Sequence, residues 1–93
     1  MNASINKLVN ARTVLNTLMN LKFRWECEGR YENFDRYGEV MFNSVKKVVG
    51  DNAKFVKAMK RPFGLVFELE GVKYKLFLKS NARSCWLACA IVK

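Results

Sequence analysis

The N-terminal part of the chain changes its hydrophobic pattern near residue 22. Over residues 4–21, apolar side chains recur at spacings of three and four, which predicts an amphipathic helix. Over residues 22–28, apolar and charged side chains alternate, and this period of two predicts a strand with one buried face. The apolar positions of that strand are Phe23, Trp25 and Cys27. A turn is expected over residues 29–32.

Residues 34–49 return to helical spacing and predict a second helix. Its apolar stripe consists of Phe34, Tyr37, Met41, Val45, Val48 and Val49. Acidic residues near its start and two lysines near its end follow the order that the helix dipole favours. Gly38 and the valines lower the intrinsic helix propensity, so we expect this helix to depend on packing. A strand over residues 39–49 is the alternative.

The second half of the chain predicts four strands, at residues 53–60, 65–70, 72–79 and 85–92. In the segment Arg61–Gly64 proline stands second and glycine fourth, which predicts a type I turn. Glu70-Gly71 predicts a tight hairpin. Residues 85–92 are almost wholly apolar, which favours a central strand covered on both faces. A strand that lies in an interface is the alternative.

These elements predict an α+β fold in the order α-β-α-β-β-β-β. Closing strands with short links form an antiparallel meander, and two amphipathic helices need a surface to cover. We therefore expect a two-layer sandwich, with both helices packed on one face of a mainly antiparallel sheet of four to five strands. The length of 93 residues and the apolar share of 51% suit one compact domain over residues 1–93 and argue against disorder.

The composition excludes several kinds of site. The chain has no histidine, which excludes a Ser–His or Cys–His pair, an imidazole general base and a histidine zinc ligand. Its three cysteines are too few for a disulfide scaffold. Cys85 and Cys89 on one strand would lie about 13 Å apart, too far to share a metal ion. We expect no catalytic residue, no cofactor and no metal.

Export and membrane insertion are not expected from the hydropathy pattern. Residues 1–7 lack the apolar core of a signal peptide. The longest late run without charge, Ser84–Val92, has nine residues, whereas a helix that spans a bilayer needs about 20. The expectation is a soluble, cytoplasmic protein.

Positive charge is abundant and unevenly placed. Seventeen Lys and Arg against eight Asp and Glu give a formal net charge of +9, a footprint of nucleic-acid binding. One basic cluster surrounds the first hairpin, and a second alternates along the strand at residues 72–79. Two further basic residues are expected on the same face of the strand at residues 22–28. The candidate nucleic-acid-binding residues are Lys22, Arg24, Lys54, Lys57, Lys60, Arg61, Lys73, Lys75, Phe77, Lys79 and Arg83.

These features predict a small, basic, non-enzymatic nucleic-acid-binding protein. Cations on a sheet face neutralise phosphates and release counterions, and a ring such as Phe77 can stack on an unpaired base. Lysine outnumbers arginine eleven to six, which favours binding that is largely independent of sequence. RNA and single strands suit a sheet face better than duplex DNA. For each lysine, the alternative is the solvated face of an ordinary strand.

Other functions fit the same composition. A small inhibitor or antitoxin-like protein, of the phage counter-defence type, would bind a nucleic-acid-processing enzyme or its RNA complex. In size and charge the chain resembles bacterial toxins of the RelE type, which implies a histidine-free RNase; the resemblance includes no motif and identifies no residue. A Mg²⁺ site of a nuclease would use the carboxylates Glu26, Glu28, Glu32 and Asp35. If the last strand lies at an edge of the sheet, a homodimer is expected through that strand.

Overall fold

Two helices precede a four-stranded antiparallel sheet. The computed structural model describes residues 8–28 and 34–93. The elements are α1 (Arg12–Glu28), α2 (Phe34–Val49), β1 (Lys54–Lys60), β2 (Phe63–Leu69), β3 (Val72–Ser80) and β4 (Cys85–Ile91). The strands lie in the order β1-β2-β3-β4, and each pairs antiparallel with the next. The α+β prediction is confirmed, and so are the second helix and the four closing strands.

The first strand of the prediction is wrong, because residues 22–28 form the second half of α1. Apolar and charged residues do alternate in this segment, but the segment also continues a helical stripe. Leu18 and Leu21 are buried, and Trp25 packs against the same core. Phe23, which a strand would have buried, is 69% exposed on the helix surface. The order of elements is therefore α-α-β-β-β-β. The turn predicted at residues 29–32 lies outside the described residues.

Both helices contact the same side of the sheet. Alternate residues of β2 and β3 face them, and the helices contribute one apolar stripe each. The side chains that are almost completely buried there are Leu8, Val14, Leu18, Met41, Val45, Leu65, Phe67 and Leu76. One two-layer core results, and it lies over β1, β2 and β3, because the helices make few contacts with β4.

Aromatic pairs join each helix to the sheet. The rings of Trp25 on α1 and Phe63 on β2 lie 6.1 Å apart between centroids. The rings of Phe42 on α2 and Phe55 on β1 lie 5.6 Å apart, in a tilted arrangement. Pairs of this kind contribute about 0.5–1.5 kcal/mol each beyond the area they bury. They hold α1 above the start of β2 and α2 above the edge strand β1.

The first two hairpin connections differ from each other. Lys60 pairs with Phe63, so Arg61 and Pro62 alone connect β1 to β2, and the peptide bond between them is cis. The predicted type I turn is wrong, because β2 already begins at the third residue of that segment. The second hairpin is confirmed: Glu70 and Gly71 have φ of 52° and 81°, which is the positive-φ pair of a type I′ turn.

The last strand, β4, lies at an edge of the sheet, and the prediction of a covered central position is wrong. Among the described residues it pairs with β3 on one side, and no strand of the meander lies on its other side. Its apolar composition nevertheless has a partial structural reason, since Leu87 is buried under the helical layer. Trp86 and Ile91 are exposed. The apolar run therefore predicts a strand here, but it does not predict that the strand is central in the sheet.

Gly38 lies where α2 meets β1. A Cβ atom at this position would come within 2.8 Å of the Ala58 Cβ and 3.0 Å of the Phe55 Cζ. The helix therefore tolerates a residue of low propensity because only glycine lets β1 approach so closely. The dependence of α2 on packing, expected from its sequence, has this contact as one of its causes.

We predict that Gly38→Ala lowers the free energy of unfolding, although alanine is the better helix former by about 1 kcal/mol. The added methyl group has to displace Ala58 or Phe55, and such overpacking costs about 1–3 kcal/mol. Urea denaturation followed by circular dichroism measures the change. Asn43→Ala, at an exposed position of α2, is the matched control and is expected to stabilise slightly. An equal gain in both variants would contradict the close contact.

Candidate nucleic-acid interface

Five lysines lie on the side of the sheet that the helices leave uncovered. On β3, Tyr74 and Leu76 face the core, so the residues between and beside them face the other way. The register places two residues of β1 on the same side, opposite Glu68 and Val66 of β2. We call this set the lysine face: Lys54, Lys57, Lys73, Lys75 and Lys79. The alternation of β3 predicted its part of this surface from sequence alone.

The dimensions of the lysine face follow from strand geometry. Along β3, Lys73 and Lys79 are six residues apart, or about 20 Å. Across the sheet, Lys57 and Lys75 are separated by Val66 of β2, which places them about 10 Å apart. Glu68 is the only acidic residue of the four strands, and it lies between Lys54 and Lys73 in the register. Five cations and one anion thus share an otherwise apolar surface.

Phe77 lies at the centre of this side but offers little surface. It is only 8% exposed, although it faces away from the helices. Its cross-strand neighbour is Gly64, which has no side chain, and the ammonium groups of Lys75 and Lys79 lie 5.2 and 6.0 Å from the ring centroid. Such cation–π contacts contribute about 0.5–1 kcal/mol at exposed sites. The ring therefore positions the two lysines rather than presenting a free face to a base.

Trp86 is the accessible ring on this side, and the sequence analysis missed it. It lies on β4 directly opposite Lys79 and is 41% exposed. Ala88 and Ala90 follow on the same side, so no large side chain of β4 stands beside it. The predicted antiparallel meander already placed β4 next to β3, and alternation along β4 allows Trp86 to share a side with the β3 lysines. The prediction of β4 as a covered strand prevented this inference.

The other predicted basic residues lie elsewhere. Lys22 and Arg24 are on α1 rather than on a strand, so they do not extend the lysine face. Lys60 and Arg61, at the tip of the first hairpin, meet Lys22 at a cleft of about 730 Å³ between α1 and the end of the sheet. The exposed ring of Phe23 also lines this cleft. The helical layer therefore separates the candidate residues into two basic surfaces.

Arg83 occupies the loop between β3 and β4. The Asn81 Oδ1 accepts hydrogen bonds from the backbone N–H groups of Arg83 and Ser84, at 2.8 and 2.9 Å. This Asx turn explains why the polar segment after β3 reverses the chain. The exposed Arg83 therefore lies at the same end of the sheet as Lys79 and the first hairpin.

Of the four acidic residues considered as a metal site, Glu26 has a described side chain. Glu26 is on α1 and forms an ion pair with Lys22 at 3.7 Å, one helical turn away. Glu32 and the side chains of Glu28 and Asp35 lie outside the described residues. Within residues 8–28 and 34–93, no three Cys, Asp or Glu side chains come close enough to hold a metal ion together.

Two further findings concern membrane spans and similarity to known proteins. None of the helices described here is long and apolar enough to cross a membrane. Comparison with known proteins finds no matching family model, no similar curated protein and no similar solved structure.

The cysteines differ in their access to solvent. Cys27 is exposed on α1, whereas Cys89 faces the helical side of β4, opposite Leu76. Burial raises the pKa of the Cys89 thiol from 9.0 to about 11, because desolvation disfavours the thiolate. The folded state therefore favours the neutral thiol. The contribution of this thiol to the free energy of unfolding keeps its full value below pH 9 and falls as the pH rises towards 11, because the thiol ionises more readily in the unfolded chain.

We predict that iodoacetamide at pH 8 alkylates Cys27 well before Cys89, because the thiolate is the reactive form. Mass spectrometry of peptides, sampled over time, gives the two rates. Raising the pH from 9 to 11 is expected to accelerate the reaction of Cys89 as its thiol ionises. Denaturation in urea is the control and should remove most of the difference. Equal rates in the folded chain would contradict the placement of Cys89 on the helical side of the sheet.

Proposed function

We propose that this chain binds single-stranded nucleic acid, RNA in preference, through the lysine face, without cleaving it. The observation that carries the proposal is the collection of five lysines on the uncovered side of the sheet, with Glu68 as the one acidic residue among the strands. The formal net charge of +9 attracts a polyanion to the whole molecule. The lysine face supplies the place at which several phosphates can be contacted together.

Phosphate contacts supply the affinity in this account. Each lysine that neutralises a phosphate releases condensed counterions, so affinity falls as the salt concentration rises. Lys75 and Lys79 are held in place by the Phe77 ring between them, which reduces the entropy lost when they bind. Lysine is a point charge without the bidentate geometry that reads bases, and the binding is therefore largely independent of sequence.

The preference for single strands comes from the shape of the surface. Apart from Trp86, the β4 side chains on this side are alanines, so the surface is shallow. Among the described residues, no helix lies on this side that could enter a major groove. Unpaired bases can instead lie on an exposed ring, and Trp86 stands next to Lys79 for this purpose. RNA is favoured because its unpaired loops and ends are commonly bound in this way.

Catalysis is not part of the proposal. The chain has no histidine that could act as a general acid or base near neutral pH. Lysine and arginine alone can stabilise developing charge on a phosphate, as an RNase of the RelE type would require. The lysine face, however, distributes its cations over about 20 Å of strand, and they do not converge on one phosphate. This arrangement suits binding along a strand.

We predict that Lys73→Ala/Lys79→Ala weakens RNA binding and flattens its salt dependence. Loss of two phosphate contacts should reduce the slope of log K against log salt by about 1.4 for a single strand. Fluorescence anisotropy with a labelled RNA of about 16 nucleotides over a salt series measures this. Arg12→Ala/Lys47→Ala removes the same charge from exposed positions of the helical layer. This control is expected to leave the slope close to that of the unmodified chain.

Three results would contradict the proposal. Absence of binding at low salt would exclude the nucleic-acid function and would favour a protein partner, as for an inhibitor of a nucleic-acid-processing enzyme. Equal effects of the two double variants would show that net charge, and not the lysine face, determines the affinity. Shortened RNA on a denaturing gel after incubation would contradict the absence of cleavage.

We also predict that Trp86→Ala lowers the affinity for single-stranded RNA by about five- to 160-fold, because stacking contributes about 1–3 kcal/mol per base. Trp86→Phe keeps a ring and should retain much of the affinity. Phe23→Ala removes a more exposed ring from the helical layer and should have no effect. The same anisotropy measurement checks all three. A loss with Phe23→Ala and none with Trp86→Ala would place the bases at the cleft instead.

A further inference from the structure

The two edges of the sheet are protected to different degrees. On β1, the register shifts between Phe55 and Lys57, so Val56 forms a bulge, and lysines occupy three of the seven positions. Bulges and edge lysines are features that prevent an edge strand from pairing with another chain. On β4, the register is regular over its whole length, and no charged residue or proline occurs from Ser84 to Val92. The β4 edge is therefore open to pairing.

Half of the backbone groups of β4 point away from the sheet. The Val92 N–H donates to the Lys73 carbonyl at 2.9 Å, which makes these two residues a hydrogen-bonded pair. Such pairs recur at every second residue of an antiparallel ladder, so Trp86, Ala88 and Ala90 bond to β3. The residues between them direct their N–H and C=O groups outward: Cys85, Leu87, Cys89 and Ile91. In the described part of the chain, no strand pairs with this side.

We propose that β4 pairs antiparallel with β4 of a second copy of this chain, which gives one continuous sheet of eight strands. The outward residues form hydrogen-bonded pairs when Cys85 stands opposite Ile91 and Leu87 opposite Cys89 of the second copy. A two-fold axis then passes between the two copies of Ala88. Each backbone group that points outward from β4 gains a partner in this register, and the interface is isologous.

The side chains of β4 are compatible with this register. Residues that stand opposite each other share a face, so the helices of both copies lie on one side of the extended sheet. On the other side, Trp86 stands opposite Ala90 of the second copy, where the small side chain leaves room for its ring. On the helical side, Ile91, which is 60% exposed in the single chain, gains Cys85 as a neighbour. Burial of Leu87 explains part of the apolar composition of β4, and pairing with a second copy would explain the rest.

The charge distribution favours a second copy at this edge over the other. Two chains of net charge +9 repel each other, and pairing through β1 would bring Lys54, Lys57 and Lys60 of each copy together. Pairing through β4 places a neutral strand at the contact, with Lys73, Lys75 and Lys79 of the lysine face one strand away on β3. A different acidic partner would gain more from the lysine-bearing β1 edge than from this neutral one.

The test is the mass of the protein in solution. Sedimentation equilibrium between about 1 µM and 1 mM should show a rise from 10.8 kDa towards twice that mass. Ile91→Lys adds a charge to the β4 edge and is expected to keep the chain monomeric. Val56→Lys adds the same charge to the β1 edge, at a residue that is 40% exposed, and should leave the dimer intact. A monomer at every concentration would overturn the proposal, and so would equal loss of the dimer in both variants.

A second measurement tests the register and does not depend on Ile91→Lys. In a chain whose three cysteines are replaced by serine, Ala88→Cys places two thiols in a non-hydrogen-bonded pair across the axis, with Cβ atoms about 4.5–5.5 Å apart. Mild oxidation is expected to give a disulfide-linked dimer on a non-reducing gel. Val56→Cys in the same background is the control and should give no disulfide-linked dimer on the gel. Absence of the Ala88→Cys crosslink would overturn this pairing. Neither measurement involves nucleic acid, so its outcome is separate from that of the proposed function.

Discussion

The helices cover only one side of the sheet, and this asymmetry determines the rest of the molecule. Side chains alternate along every strand, so burial of Leu65, Phe67 and Leu76 under α1 and α2 commits the intervening residues to the opposite side. On β3, those residues are mostly lysines. A shift of one residue in the pairing of β3 would bury its lysines and expose its core. The same apolar contacts that stabilise the fold therefore hold the lysine face in register.

The elements that could be predicted are those whose apolar residues in the sequence are also the residues that are buried in the fold. Strand β3 has apolar residues on one side and lysines on the other, and α2 has one apolar stripe, so each was identified with nearly correct bounds. The strand predicted for residues 22–28 was wrong because a segment of seven residues can alternate in polarity and also continue the apolar stripe of a helix. Tertiary contacts distinguish the two, such as that of Trp25 with Phe63, which is 38 positions later in the sequence, in β2.

The candidate site could be predicted only in part, for a related reason. The lysines of β3 share a strand, so their common face follows from alternation alone. The addition of Lys54 and Lys57 from β1, and of Trp86 from β4, depends on which strands pair and in what register. An apolar strand such as β4 does not reveal in its own sequence whether it is central or at an edge. Lys22 and Arg24 do not belong to the predicted surface, because their segment is helical.

The central claim is that nucleic acid contacts the side of the sheet that the helices leave uncovered. Titration of isotope-labelled protein with a short single-stranded RNA, followed by NMR of the backbone and lysine side chains, tests it most directly. The account predicts that the largest shift changes occur at Lys73, Lys75 and Lys79, with the indole signal of Trp86 among them. Changes confined to α1, or to the cleft between α1 and the first hairpin, would contradict it.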